Sequence, residues 1–178
     1  MKIQFVDFPN GALCFEYAVY ISDLGKLLIV SWEKNLVYVA FSDTAVQALD
    51  EAKKLFPKAS FQKKENMVQK SVLEYLTSPN NSKKEKVFLV AVKNTPFQLA
   101  VLKALTKVPF GKTVTYSALA KKIGKPSAVR AAASAVARNP IAILLPCHRV
   151  VPSTGSIGRY HWGTQKKSRL LSWESLNV

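Results

Sequence analysis

Cysteine is nearly absent: Cys14 and Cys147 are the only two in 178 residues, too few for a disulfide framework. Histidine is equally scarce, with His148 and His161 alone, and no Cys-x-x-Cys pair occurs. Because Cys147 and His148 read below as a reactive pair, no ligand set is left for zinc, and neither metal nor cofactor is expected. No apolar run approaches the roughly eighteen uncharged residues of a membrane span. Met1–Asp7 interrupts its apolar positions with polar ones, which argues against a signal peptide. No short period recurs, and a hydrophobic fraction of 48% excludes disorder, collagen and coiled coil. The composition is that of a soluble protein from a reducing compartment, long enough for one full core or two small domains.

Negative charge is the most unevenly missing of all. Against 26 Lys+Arg there are 11 Asp+Glu, a formal net charge of +15. Residues 1–94 carry 13 basic and 10 acidic side chains, whereas residues 95–178 carry 13 basic and a single acid, Glu174. Such a field favours a polyanion through counterion release, nucleic acid before an anionic membrane. A merely solubilising surface normally mixes both signs.

The pattern along the chain predicts an α+β protein in two domains, 1–92 and 93–178. Ala12–Ile21, Leu27–Trp32 and Leu36–Phe41 read as strands, with Asp23-Leu24-Gly25 and Glu33-Lys34-Asn35 as turns. Asp43–Phe56 is helical, with Ala45, Val46, Leu49, Ala52 and Leu55 on one face and Pro57 as its stop. A second helix spans roughly 66–77, a polar loop covers Ser78–Lys86, and Val87–Val92 is another strand. The sheet is expected to be mostly antiparallel. From Thr95 the chain turns helical: Thr95-Pro96 is an N-cap followed by proline at the first helical position. Thr115–Gly124 and Ser127–Arg138 then form helix, glycine turn, helix, either an ordinary αα-hairpin or a helix-turn-helix unit. The second of these helices is lined with alanine, and Arg130 and Arg138 are its long side chains. Inward packing explains only one side of it. A smooth outer side suits a narrow groove and reads little sequence.

Residues 139–152, centred on Pro146-Cys147-His148-Arg149, hold the candidate chemistry. A cysteine in an apolar run is ordinarily buried and inert. Here the preceding proline puts it on a turn, and His148 and Arg149 supply a base and a fixed positive charge that favour thiolate. Glu174, in a basic and apparently helical segment, is either a solvated helix-end charge or the acid that orients His148 in a Cys-His-acid relay.

Pro146-Cys147-His148-Arg149-Val150 resembles the active-site signature of the O6-alkylguanine-DNA alkyltransferases, the methylated-DNA–protein-cysteine methyltransferases, in their bacterial-like branch. Thr95-Pro96-Phe97-Gln98, the run from Phe110-Gly111-Lys112 to Thr115-Tyr116, and Gly124-Lys125-Pro126 match in order. So do Ala128-Val129-Arg130-Ala131, Asn139-Pro140 and Tyr160-His161-Trp162-Gly163. Over 1–94 the likeness rests on the strand pattern and Leu24-Gly25-Lys26-Leu27-Leu28. The resemblance implies a small ribonuclease H-like N-terminal domain and a mostly helical, winged helix-turn-helix-like C-terminal domain. It implies that Cys147 takes the alkyl group from O6-alkylguanine, and from O4-alkylthymine, while His148 removes its proton through a water and Glu174 supports His148. Tyr116 donates to the base, and the carbonyls of Cys147 and Val150 read its exocyclic amine. Arg130 enters the stack vacated by the extruded base, though a phosphate contact is its plainer reading, and Asn139 ties the helix pair to the reactive loop or simply caps the helix. Ser127, Ala131, Tyr160, Trp162 and Lys167 complete the residues expected to meet substrate or DNA.

A thioether has no good leaving group, so the protein is expected to react once. The glycine-rich loop 153–163 lacks the Gly-Lys-Ser/Thr of a phosphate cradle; the resemblance implies that it is the pocket wall. His161 and Trp162 stand where some relatives have serine and glycine, which predicts a narrower pocket that favours methyl over benzyl transfer. The expected partner is double-stranded DNA with little sequence preference, bound by a monomer in the bacterial cytoplasm or, in a eukaryote, the nucleus. Alternatives are a cysteine hydrolase, an operator-binding regulator, and the alkyltransferase-like proteins, which lack the cysteine.

Overall fold

In the computed structural model, residues 1–177 are described except Pro9, Ala12, Ser78 and residues 80–85, so most of the polar loop expected over 78–86 lies outside the described residues. Two compact units result, Met1–Lys93 and Asn94–Val178. Among the described residues no helix is long and apolar enough to cross a membrane.

In the first unit, β2 (Leu13–Ser22), β3 (Gly25–Trp32) and β4 (Asn35–Phe41) form a meander with two tight turns. Gly25 lies at φ 131°, a conformation that disfavours any side chain, and Ser22 Oγ donates to its carbonyl at 2.8 Å. From β4 the chain crosses over through α1 (Ala45–Leu55) to β5 (Ala59–Lys63), which lies parallel to β2. It crosses again through α2 (Met67–Thr77) to β6 (Val87–Ala91), parallel to both β1 (Lys2–Val6) and β4. The strand order is β1-β6-β4-β3-β2-β5. The sheet is therefore mixed, correcting the expectation of a mostly antiparallel one. Only the two hairpins are antiparallel, because a helical crossover returns the chain in the same direction. β1 and β5, the two edges, escape the sequence reading because each is short and half polar.

β4 is buried along its whole length and β3 nearly so, which accounts for their unbroken apolar sequences. The buried stripe of α1 runs through Ala48 and Ala52 to Phe56, rotated from the expected face, so that Val46 and Leu55 are exposed. α2 starts with a reciprocal cap: Gln69 N donates to Asn66 Oδ1 at 3.0 Å and Asn66 N to Gln69 Oε1 at 3.3 Å.

The second unit opens with α3 (Pro96–Leu105), whose Thr95/Gln98 capping box follows from its sequence. α4 (Tyr116–Lys122), capped by Thr115, and α5 (Val129–Ala137) pack on α3 and on each other. Gly124 makes the turn between α4 and α5 at φ 70°. A short parallel pair, β7 (Val114–Thr115) with β8 (Val150–Val151), ties the start of α4 to the chain just after a 3₁₀ turn at Cys147–Arg149. The helix α6 (Thr164–Leu176) packs against that turn.

Candidate active site

The β7–β8 pair sets the geometry. It brings Tyr116, the first residue of α4, to the same cavity of about 320 Å³ as Cys147, Arg159, Tyr160 and His161. Small apolar residues of α5, Ala133 and Ala137 among them, close the cavity. Cys147, preceded by Pro146, opens the 3₁₀ turn. The peptide before it is held by Asn139, whose Nδ2 donates to the carbonyls of Ile141 (3.0 Å) and Leu145 (2.8 Å) and approaches Cys147 Sγ at 3.0 Å. Asn139 Oδ1 accepts from Ile141 N at 3.0 Å, so the side chain is a post for the loop; the residue closing α5 is Arg138. Within this loop Ile143 sits at φ 66°, a left-handed conformation that costs a β-branched residue about 1–3 kcal/mol.

His148 and Glu174 meet as expected: Nε2 lies 2.7 Å from Oε1, and both side chains are buried. Glu174 is no solvated helix-end charge. Burial opposes its ionisation, but the hydrogen bonds from His148 and Arg149 override it and hold the carboxyl at about 2. An ionised carboxylate only accepts, so His148 Nε2 carries the proton and Nδ1 is a bare acceptor. That Nδ1 is buried and has no hydrogen-bond partner among the described residues. Burial also pulls the His148 pKa below its ordinary value, against the pull of Glu174, so the resting ring is neutral.

Arg149 departs from its expected place beside the sulfur. Its Nε and Nη2 fork onto Glu174 at 2.9–3.0 Å, Nη1 donates to Val108 O at 2.6 Å, and its guanidinium stands 5.4 Å from the Phe110 ring centre. Burial pushes the Cys147 thiol up, opposed by Asn139, Tyr160 and the Lys167 charge. The resting sulfur is thus a thiol, not the pre-ionised thiolate anticipated. Lys167, expected at the substrate or DNA surface, is fully buried and donates to Val150 O at 2.7 Å. That carbonyl is the one expected to read the exocyclic amine, and it already carries this bond.

Burial, then the neighbouring sulfur, raises the Tyr116 pKa and pushes that of Tyr160 well up, so both hydroxyls stay protonated. Trp162 is off the cavity wall; it packs against Tyr160 (5.2 Å between ring centres) and His161 (4.9 Å). Ser127, Arg130 and Ala131 are exposed, and Arg130 and Ala131 lie on the solvent side of α5, whose cavity side carries Ala133 and Ala137. One helix therefore presents a smooth outer face and closes the pocket. Of the loop 153–163 expected to form the pocket wall, the structure places Arg159, Tyr160 and His161 on the cavity. Among the described residues no cluster of three or more His, Cys, Asp or Glu is placed to hold a metal.

A family model described as "6-O-methylguanine DNA methyltransferase, DNA binding domain" matches residues 96–176. The chain is 37% identical over 165 residues to the bifunctional transcriptional activator/DNA repair enzyme Ada of Escherichia coli, covering 93% of this chain and 47% of that protein. It thus spans about half the length of that relative. It is 36% identical over 147 residues to the inducible methylated-DNA–protein-cysteine methyltransferase of Bacillus subtilis, covering 82% of each. The crystal structure of Mycobacterium tuberculosis OGT in complex with DNA superposes with a TM-score of 0.73 at 25% identity, over 93% of this chain and 95% of that one.

Proposed function

Because the chain belongs to the methylated-DNA–protein-cysteine methyltransferase family, we propose that it repairs DNA by moving the alkyl group of O6-alkylguanine, and of O4-alkylthymine, onto Cys147 in a single turnover. The observation that carries this reading is a cysteine on the wall of a base-sized cavity, followed directly by a histidine whose far nitrogen is locked onto a buried, ionised carboxylate.

The neutral His148 takes the thiol proton at Nδ1 as the sulfur attacks, directly or through a water. The imidazolium so formed lies against Glu174, which Arg149 keeps charged and oriented. The sulfur's electron pair makes the new S–C bond, the C–O6 bond breaks with its pair passing to the base, and a proton then returns to the base. A thiol at rest and a thiolate only in transit also protects the sulfur from oxidation between encounters. The Lys167 ammonium favours the thiolate while it exists.

The target atom is out of reach inside a duplex, so the nucleotide is extruded into the cavity. Arg130 replaces it in the stack from the exposed face of α5, where alanine and serine let the helix approach a groove without reading bases. We read the second unit accordingly as winged helix-turn-helix-like, and the mixed sheet of the first supports reading that unit as a ribonuclease H-like support. The protein acts as a monomer on double-stranded DNA with little sequence preference. Intact-mass analysis after incubation with an O6-methylguanine duplex tests the reading. One added methyl mapping to Cys147 supports it; an unmodified protein, or ester hydrolysis without DNA, overturns it.

A further inference from the structure

The first unit has a cavity of its own, of about 320 Å³, at the C-terminal end of α1. Its floor is apolar, with Phe8, Leu13, Phe15 and Phe56 among the lining residues. The rings hold one another in place. Phe8 stacks on Phe56 with 5.4 Å between centres and 7° between planes, and Phe15 stands edge-on to Phe56 at 5.2 Å and to Phe61 at 5.5 Å. A floor of interlocked aromatics is preformed, as small-molecule pockets mostly are.

The charged side chains on this cavity are all of one sign. Lys58 and Lys93 line it, both exposed, and among the described residues no Asp or Glu does. Neither lysine belongs to an ion pair among the described residues. Lys58 rides on a fixed turn: Ala59 N donates to Phe56 O at 3.0 Å, and Pro57 stands at the position where its locked φ favours that turn. Aromatic surface with positive charge only at its edge is complementary to a flat apolar body that carries one negative charge at its end.

We propose that this cavity is a binding site for a small aromatic carboxylate, its ring against Phe8, Phe15 and Phe56 and its carboxylate between Lys58 and Lys93. No residue of the reactive turn takes part, so the site is independent of the alkyl-transfer reading. Occupancy would add to the stability of the first unit by mass action.

The test titrates the full-length, isotope-labelled chain with cinnamate and, separately, with cinnamyl alcohol, a neutral body of nearly the same shape, and follows the amide resonances. The expected result is saturable shifts concentrated at Phe8, Gly11, Phe56, Ala59 and Lys93. The alcohol should bind about 3- to 10-fold more weakly, since each exposed ammonium adds only a modest, screened attraction. In the chain carrying both Lys58→Gln and Lys93→Gln the preference for the acid should vanish while the alcohol still binds, with the spectrum elsewhere unchanged. No saturable shift at these residues, equal affinity of the parent for acid and alcohol, or a preference that survives the double substitution would overturn the proposal. So would cinnamate shifts spread over the basic second unit. The same shifts on concentrating the parent chain without ligand would assign the cavity to a second copy and overturn it as well.

Discussion

Replacing Glu174 by glutamine changes the shape of the site least and its electrostatics most. Each oxygen of the carboxylate faces donors only. Oε1 meets His148 Nε2 at 2.7 Å and Arg149 Nη2 at 2.9 Å, while Oε2 meets Arg149 Nε at 2.9 Å and Gly111 N at 3.0 Å. An amide must put its NH₂ in one of those two places, so a donor faces a donor in either orientation. The Arg149 guanidinium, only 6% exposed, also loses its counter-charge. Breaking a buried pair from one side costs about 3–5 kcal/mol. With a urea dependence of about 1–3 kcal/mol per molar, the unfolding midpoint of the second unit should fall by roughly 2 M. Tryptophan fluorescence in a Trp32→Phe background isolates that unit, since Trp162 and Trp173 then report alone. The pH dependence adds a sharper test. The Glu174 carboxyl is held at about 2 against an ordinary value of 4.5, so it binds fewer protons folded than unfolded. Its contribution, on the order of 3 kcal/mol, is complete above about pH 5 and is lost as the pH falls towards 2. The gap between parent and variant should therefore close over that window. A midpoint unmoved by Glu174→Gln, or a gap that stays constant from pH 5 to 2, would refute the reasoning.

Cys147→Ala should abolish methyl uptake, read by intact mass, while duplex binding measured by fluorescence anisotropy is retained. Arg130→Ala should slow repair in duplex DNA more than transfer from the free alkylated base, because only the duplex must be held open; equal losses on both substrates would count against insertion. Lys167→Met should raise the Cys147 thiol further, visible as a shift to higher pH in the rate of iodoacetamide alkylation. Gly158→Ala should cost about 2–4 kcal/mol in urea unfolding, since φ is 73° there and a Cβ would lie 2.6 Å from the Pro152 ring.

How far the site could be read in advance follows from how its parts are joined. Glu174 could be singled out because the second unit offers no other acid, but its residues alone left it open between a solvated helix end and the partner of His148, and the resemblance supplied the pairing. Arg149 was misread for a reason equally physical. Cys147, His148 and Arg149 occupy one 3₁₀ turn, where three residues complete a revolution and neighbours in sequence point in three directions. The sulfur lines the cavity while the guanidinium goes to α6. Nor does a sequence reveal desolvation, which decides that the sulfur rests as a thiol and that Lys167 is an interior residue. In the first unit the meander β2–β4 announced itself through apolar runs between turn residues, but the edges β1 and β5 did not. An edge strand buries one face and pairs on one side, so little in its sequence needs to be apolar.

Sealing Glu174 inside has an effect beyond the reaction. It is the sole acidic side chain between Asn94 and Asn177, and it is buried, so the described exterior of that unit displays no Asp or Glu. Lysines and arginines there repel one another with nothing interspersed to relieve the strain. Counter-ions must supply that relief, as DNA would under the function proposed above. This half of the molecule should accordingly grow more resistant to unfolding as sodium chloride is added, the reverse of a protein whose surface is laced with ion pairs, and on the proposed function a duplex should stabilise its folded state in the same way.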